Sequence, residues 1–234
     1  MTRREPRGRR GGKPRRSLRA RLLGALWSWL LRLQAATWEV RTEGVGAFDR
    51  ALSGGRRLLA AFWHGKYVAL FPLMRGRGVL IFASTSHRGD VVAEICGRFG
   101  YRCAQIPDHG REHSLDLMRE ALADETAGAV VVDGPLGPHR VVKRGVVVIA
   151  SEQRRVVFPV SVAASRKKVF GERWDRREIP KLFSRVALVF GDPLEVPADL
   201  EPPEEDRWRE RVRQALEAVD ARAEQRIAAW GASG

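Results

Sequence analysis

One histidine in this chain stands where proton transfer would be useful. His64 follows the apolar run LLAAFW (58–63) and precedes Gly65 and Lys66. The run is short and apolar and lies between Arg57 and Gly65, which predicts a buried strand that ends at the histidine. Ligand-binding loops of α/β sheets gather at the carboxyl ends of strands. A neutral imidazole at that end can take the proton from an attacking hydroxyl, and Gly65 would let a substrate approach the backbone closely. Two further segments carry reactive side chains after apolar runs. STSHRGD (84–90) offers hydroxyls, Arg88 and Asp90 at the start of a helical pattern, a place that suits an anion. DGPLGP (133–138) is a stiff turn that brings Asp133 to a strand end, with His139, Arg140, Lys143 and Arg144 close behind. Such a loop could hold a phosphate and give His64 its partner. Each segment also has a plain structural reading: a histidine beside a core tryptophan, a helix start with Asp90 satisfying early amides, and a turn with an exposed basic face.

The elements that would position these residues alternate along the chain. Strands are expected at 58–63, 79–85, 129–133, 156–164 and 185–191. Helical spacing appears in 90–99 (Val91, Ile95, Phe99), 113–123 (Leu115, Met118, Leu122) and 143–152 (Val146, Val147, Ala150). Strand runs that lack polar alternation imply burial on both faces, hence helices covering a sheet. The expected fold is therefore α/β, with a central mostly parallel or mixed sheet flanked by helices. After Pro202 and Pro203, the residues Trp208, Val212, Leu216, Val219, Ala223, Ile227 and Trp230 recur every three or four positions and mark one amphipathic C-terminal helix.

The 234 residues suit one domain with terminal additions. The net charge of +14 is unevenly placed: of 42 Lys/Arg and 28 Asp/Glu, residues 1–21 hold ten and one, leaving 32 and 27 elsewhere. The basic character thus sits mainly in a tail. Behind it, RRSLRARLLGALWSWLLRLQAATWEV (15–40) has an apolar run too short to span a bilayer. Trp27 and Trp29 with Leu23, Leu26, Leu30 and Leu33 can form one broad face, a pattern that suits the interface of a membrane bearing anionic lipids. A helix packed on the domain is the alternative; a cleaved signal peptide is a third reading, disfavoured by the two tryptophans and by the lack of a clean small-residue cleavage site. The tail could attract nucleic acid, but no nucleic-acid recognition motif follows and no specific nucleic-acid partner is expected. Two cysteines, Cys96 and Cys103, make no disulfide framework, and the scattered histidines make no metal-ligand cluster. The division expected is a basic disordered tail (1–16), an interfacial helix (17–40), an α/β domain (41–200) and its C-terminal helix (201–234).

The order of blocks FWHGK, STSHRGD, VVVDGPLGP with VVKRGVVVIAS, FPVSVAAS and WDRREIP with FSRVALVFGDPLEVP resembles the lysophospholipid (glycerophospholipid) acyltransferase superfamily. It looks most like a bacterial branch that carries Trp-His-Gly and Asp-Gly-Pro-x-Gly-Pro blocks. The resemblance spans about residues 45–200. It implies transfer of a fatty acyl group from acyl-CoA or acyl carrier protein to a hydroxyl of a lysophospholipid or other lipid acceptor, with no bound cofactor or metal. It makes His64 the general base and implies work at the cytoplasmic face of the inner membrane, as a peripheral or monotopic protein. In the family an acid follows the histidine after four residues and orients it; here that position is Ala69. Asp133 and Asp90 are then the candidate helpers of His64. Trp63, Lys66, Arg88, Gly134, Pro135, Arg140 and Lys143 are the candidate substrate-binding residues. The block with His87-Arg88-Gly89-Asp90 departs from the Arg-Asp-Gly-Glu of the branch, and a family arginine is absent near Gln105, with Arg111 a candidate substitute. Ala69 also motivates a second reading: a lipid-binding protein on the same fold whose catalysis is impaired.

Overall fold

The computed structural model describes residues 17–107 and 111–232. The basic tail assigned to 1–16 lies outside them, as does the side chain of Arg111. In chain order the elements are α1 (Leu18–Ala36), β1 (Glu39–Glu43), α2 (Val45–Ser53), β2 (Leu58–Phe62), a tight 3-10 turn (His64–Lys66), α3 (Tyr67–Leu73), β3 (Leu80–Ser84), α4 (His87–Phe99), β4 (Arg102–Ile106), α5 (Arg111–Leu122), β5 (Ala127–Val131), α6 (Gly145–Glu152), β6 (Val156–Ala164), β7 (Lys167–Val169), β8 (Glu178–Pro180), β9 (Arg185–Phe190), β10 (Leu194–Glu195) and α7 (Pro202–Ala232).

Eight strands form one mixed sheet in the order β1-β9-β6-β2-β5-β3-β4, with β10 paired to β6. The strands β6, β2, β5, β3 and β4 run parallel; β9 runs antiparallel to β6 and parallel to β1. Every residue of β2 and β6 is buried, which explains why their sequences are apolar apart from Ser161, whose hydroxyl donates to Asp220 of α7: helices cover both faces. One core gathers Leu31, Phe48, Phe71, Ile95, Phe99 and Phe158 beneath α1 to α4. The other gathers Leu115, Leu122, Val147, Ile149, Val212 and Leu216 beneath α5 to α7. The connections end where the sequence says they should. Ser86 Oγ accepts from Gly89 N at 3.2 Å to cap α4, and Gly100 closes that helix in the left-handed region (φ +83).

Several elements were not anticipated. The stretch 17–40 is not one helix: α1 stops at Ala36, and Glu39–Glu43 pairs with β9 as an edge strand. The apolar stretch after His64 forms the short helix α3. Between β6 and β9 the chain leaves the sheet as an arm, Ser165–Ser184, whose small hairpin of β7 and β8 is antiparallel and separate from the main sheet.

The packing of α1 is inverted relative to an ordinary surface helix. Its small residues Ala20, Gly24 and Ser28, with Leu31, are the buried ones. They face α4: a Cβ added at Gly24 would come within 2.6 Å of Glu94 Cβ. The large residues Leu18, Leu22, Leu26, Trp27, Trp29 and Leu33 are all more than half exposed. No helix among the described residues is long and apolar enough to cross a membrane.

Candidate active site

The site forms where adjacent parallel strands β2 and β5 end. Beyond Phe62 the chain turns through Trp63 into the His64–Lys66 turn, and beyond Val131 it enters the Asp133 loop. Val132 N donates to Phe62 O at 3.0 Å and Lys143 N to Val132 O at 2.7 Å, which extends the β-type pairing into the loops. Asp133, fully buried, accepts the backbone N–H of His64 on Oδ1 at 2.8 Å. It fixes the main chain of the histidine, not its ring. Burial pushes the Asp133 carboxyl up from the usual range, against the pull of the His64 amide, and Oδ2 has no hydrogen-bond partner among the described residues.

The ring of His64 is oriented by a residue that the sequence reading did not single out. His64 Nδ1 lies 2.9 Å from Oδ2 of Asp175, whose side chain is fully buried. Asp175 sits in the arm between β7 and β8, more than a hundred residues downstream. Burial alone would disfavour its charge, but Arg173 Nε at 3.0 Å and Arg177 Nη2 at 3.1 Å outweigh that cost, and its pKa is pulled down to about 2. An ionised carboxylate only accepts, so Nδ1 carries the hydrogen and Nε2 keeps its lone pair for a substrate proton. Burial lowers the His64 pKa below 6.5; Asp175 opposes the shift, and Arg177 and Arg173 add to it. The imidazole is therefore neutral at neutral pH and next to an anion that stabilises it once protonated.

Aromatic and glycine contacts hold this pair in place. Trp174 and Tyr67 flank the imidazole, with ring centroids 5.0 and 5.2 Å away, and Arg177 lies over Tyr67 at 4.7 Å. Gly65 does not leave its backbone open to a substrate, as the sequence suggested. A Cβ there would collide with the carbonyl oxygen of Asp175, so the arm itself occupies the space. Gly137 receives the other side of the arm: a Cβ there would lie 2.6 Å from the Trp174 ring, and its φ of +72 favours glycine in any case. Both glycines thus serve one purpose, which is to let the arm close on the strand ends.

The remaining candidates separate. Asp90 is not beside the His64 ring; its Oδ1 accepts from Gln105 Nε2 at 2.9 Å, tying α4 to β4. That bond also takes Asp90 away from the amides it was expected to cap, a role that Ser86 fills. Lys66 is buried and paired with Glu178 Oε2 at 2.9 Å, which ties the His64–Lys66 turn to β8. Trp63 is only 1% exposed and belongs to the core beneath α5 to α7. Arg140 reaches α7, where it pairs with Asp220. Gly134 and the exposed Pro135 turn the chain after Asp133, and the stem of Lys143 passes over Gly134. Arg88 is exposed in the first turn of α4. Ala69 is buried and lines a small hollow with Lys167, Glu178 and Pro180 of the arm. Among the described residues no three of His, Cys, Asp and Glu gather in a group that could hold a metal ion.

A signal for Asp175 was present in the sequence. GERWDRRE (171–178) places one acid between arginines in a stretch without strand or helix periodicity, and Ala69 leaves His64 in need of a carboxylate. Only the fold brings the two together.

No family model matches the chain. A curated protein of Rickettsia prowazekii (strain Madrid E), named "Uncharacterized protein RP090", is 29% identical over 147 residues, which cover 61% of this chain and 66% of that protein. The chain thus matches just under two thirds of the length of this relative. The crystal structure of the 1-acyl-sn-glycerophosphate (LPA) acyltransferase PlsC from Thermotoga maritima superposes with a TM-score of 0.50 and 20% identity, over 88% of this chain and 78% of that one. The protein therefore has an α/β fold similar to that of PlsC: a mixed sheet covered by helices, closed by a long C-terminal helix.

Proposed function

We propose that the protein is a membrane-associated O-acyltransferase. It would move a fatty acyl group from acyl-CoA or acyl carrier protein to a hydroxyl of a lysophospholipid or another lipid acceptor. The carrying observation is the His64–Asp175 pair, a neutral imidazole held by a buried carboxylate at 2.9 Å on a fold similar to PlsC. His64 Nε2 removes the acceptor hydroxyl proton as the oxygen attacks the thioester carbonyl. The imidazolium that forms is stabilised by Asp175. The tetrahedral intermediate collapses, the C–S bond breaks, and the leaving thiolate takes the proton back from His64. Charge development at the imidazole is what the buried carboxylate is placed to answer.

Arg88, Lys143 and Arg176 are the cations proposed to hold phosphate groups of acceptor or donor. Arg176 follows Asp175 directly and is exposed, with its backbone in the left-handed region (φ +45). Arg173 and Arg177 are already committed to Asp175, Arg140 to Asp220 and Lys66 to Glu178. The reading as a lipid-binding protein without turnover drew on Ala69; Asp175 supports the catalytic reading by offering from the arm what position 69 lacks. The outward stripe of α1 and the basic tail support attachment to an anionic membrane surface. The location proposed for the protein is the cytoplasmic face of the inner membrane.

The test uses purified protein, mixed lysolipids and labelled acyl-CoA or acyl carrier protein, with wild type beside His64→Ala. Product formed by wild type and reduced at least about a hundredfold in the variant is expected. No product with either donor, together with lysolipid that co-purifies with both proteins, would move the assignment to the binding-protein reading. Retention on salt-washed membranes tests insertion of α1 separately.

A further inference from the structure

The arm that carries Asp175 also carries a second exposed apolar feature. It returns to the sheet through Lys181, Leu182 and Phe183, immediately after β8. Phe183 is 74% exposed and Leu182 49%. Phe183 also sits at φ +57, a conformation that costs a bulky residue energy and persists only where the surroundings impose it. Here they do. Phe183 N donates to Thr37 Oγ1 at 2.9 Å, Trp38 Nε1 to Lys181 O at 3.1 Å, and Ser184 Oγ to Lys181 O at 2.7 Å. Gln34 Nε2 donates to Pro180 O. The turn is therefore latched to the C-terminal end of α1 and presents two apolar side chains outward from a rigid frame.

The surroundings of the turn are basic. Gln34, Arg166, Lys181, Leu182 and Phe183 line an open hollow of about 480 Å³. Both Arg166 and Lys181 are exposed, and neither side chain has an ion-pair partner among the described residues. Apolar tips beside free cations, continuous with a helix whose Leu and Trp face outward, match the two layers of an anionic bilayer: acyl chains for the tips and headgroups for the cations.

We infer that the Lys181–Phe183 turn is a second membrane-contact element, which inserts Leu182 and Phe183 beside α1 while Arg166 and Lys181 meet anionic lipid headgroups. The inference rests on the membrane attachment proposed above and adds the face and the orientation. With two points of contact the molecule has a fixed tilt on the bilayer, and the arm that orients His64 is anchored to the same surface.

The experiment places an environment-sensitive fluorophore at Phe183→Cys in full-length protein that also carries Cys103→Ser; Cys96 is fully buried. Ala218→Cys, exposed on α7 across the sheet, is the control position. Vesicles are phosphatidylcholine alone or mixed with phosphatidylglycerol, with and without an acyl-chain quencher. The expected result is a blue shift and quenching at 183 on mixed vesicles and neither at 218. Arg166→Gln and Lys181→Gln should each weaken binding to mixed vesicles by roughly fivefold, with little change on phosphatidylcholine. Protein that sediments with vesicles while the probe at 183 stays unchanged overturns the second contact and leaves the α1 attachment standing. Protein that does not sediment with either vesicle overturns both.

Discussion

Asp175→Asn tests the reading of the site most directly. The substitution keeps the shape of the side chain and its place against Nδ1 while removing the charge. In the native site the imidazolium formed during transfer lies beside a carboxylate whose oxygen is 2.9 Å from Nδ1. With charge centres about 4 Å apart and an effective dielectric near 20, that attraction is about 4 kcal/mol. Loss of most of it slows the proton-transfer step by about a hundred- to a thousandfold. The pH profile carries the discriminating information. Asp175 raises the His64 pKa, whereas burial, Arg177 and Arg173 lower it. Removing the carboxylate leaves only the lowering influences, so the imidazole must protonate at lower pH. The acid limb of kcat/KM, which follows the free-enzyme base, should therefore move to more acid pH while the plateau drops. The assay is kcat/KM against pH with a labelled acyl donor and a lysolipid, with circular dichroism to confirm folding. A variant within about threefold of the wild-type plateau, with the limb unmoved, would refute the role given to Asp175. A fold defect alone would lower the plateau and leave the limb in place.

Other consequences can be checked independently. Gly65→Ala and Gly137→Ala push the arm off the strand ends from opposite sides, so transfer should fall by more than about tenfold, because small displacements of a reacting group are costly; the rate and the thermal midpoint measured together separate misplacement from unfolding. Asp175, held to about 2 in the folded state, contributes stability that is complete above about pH 4 and is lost as pH falls towards 2. Urea unfolding across that window should show a steeper loss for wild type than for Asp175→Asn. Arg155, 1% exposed, donates to the carbonyls of Leu122, Glu125 and Thr126 and to Gln153 Oε1, and burial lowers its pKa to about 10. Arg155→Met strands those carbonyls and should cost about 3 kcal/mol in urea unfolding.

Much of this architecture was legible in the residue pattern. Runs such as VVFPVSVAA and VALVF are apolar but for Ser161 because both faces of their strands are covered, and the spacing of Val212, Leu216, Val219 and Ala223 could serve only a helix with one buried face. The short strands β1 and β4 escaped notice for the opposite reason. They lie at the two edges of the sheet, where Glu39, Arg41, Arg102 and Gln105 meet solvent or polar partners, and edge strands need no apolar run. The hairpin of β7 and β8 lies outside the sheet and reads as charged loop.

The sequence by itself determined that His64 and Asp133 would each stand just beyond a strand end, because local apolar runs set where strands stop. Only the tertiary structure decided what each carboxylate does. Asp133 holds the His64 backbone, Asp90 holds Gln105, and Asp175 holds the imidazole. Hydrogen-bond pairing depends on distances of about 3 Å between groups as many as 111 positions apart in the chain. No periodicity encodes such a pairing; it exists only after the arm has folded back between Gly65 and Gly137.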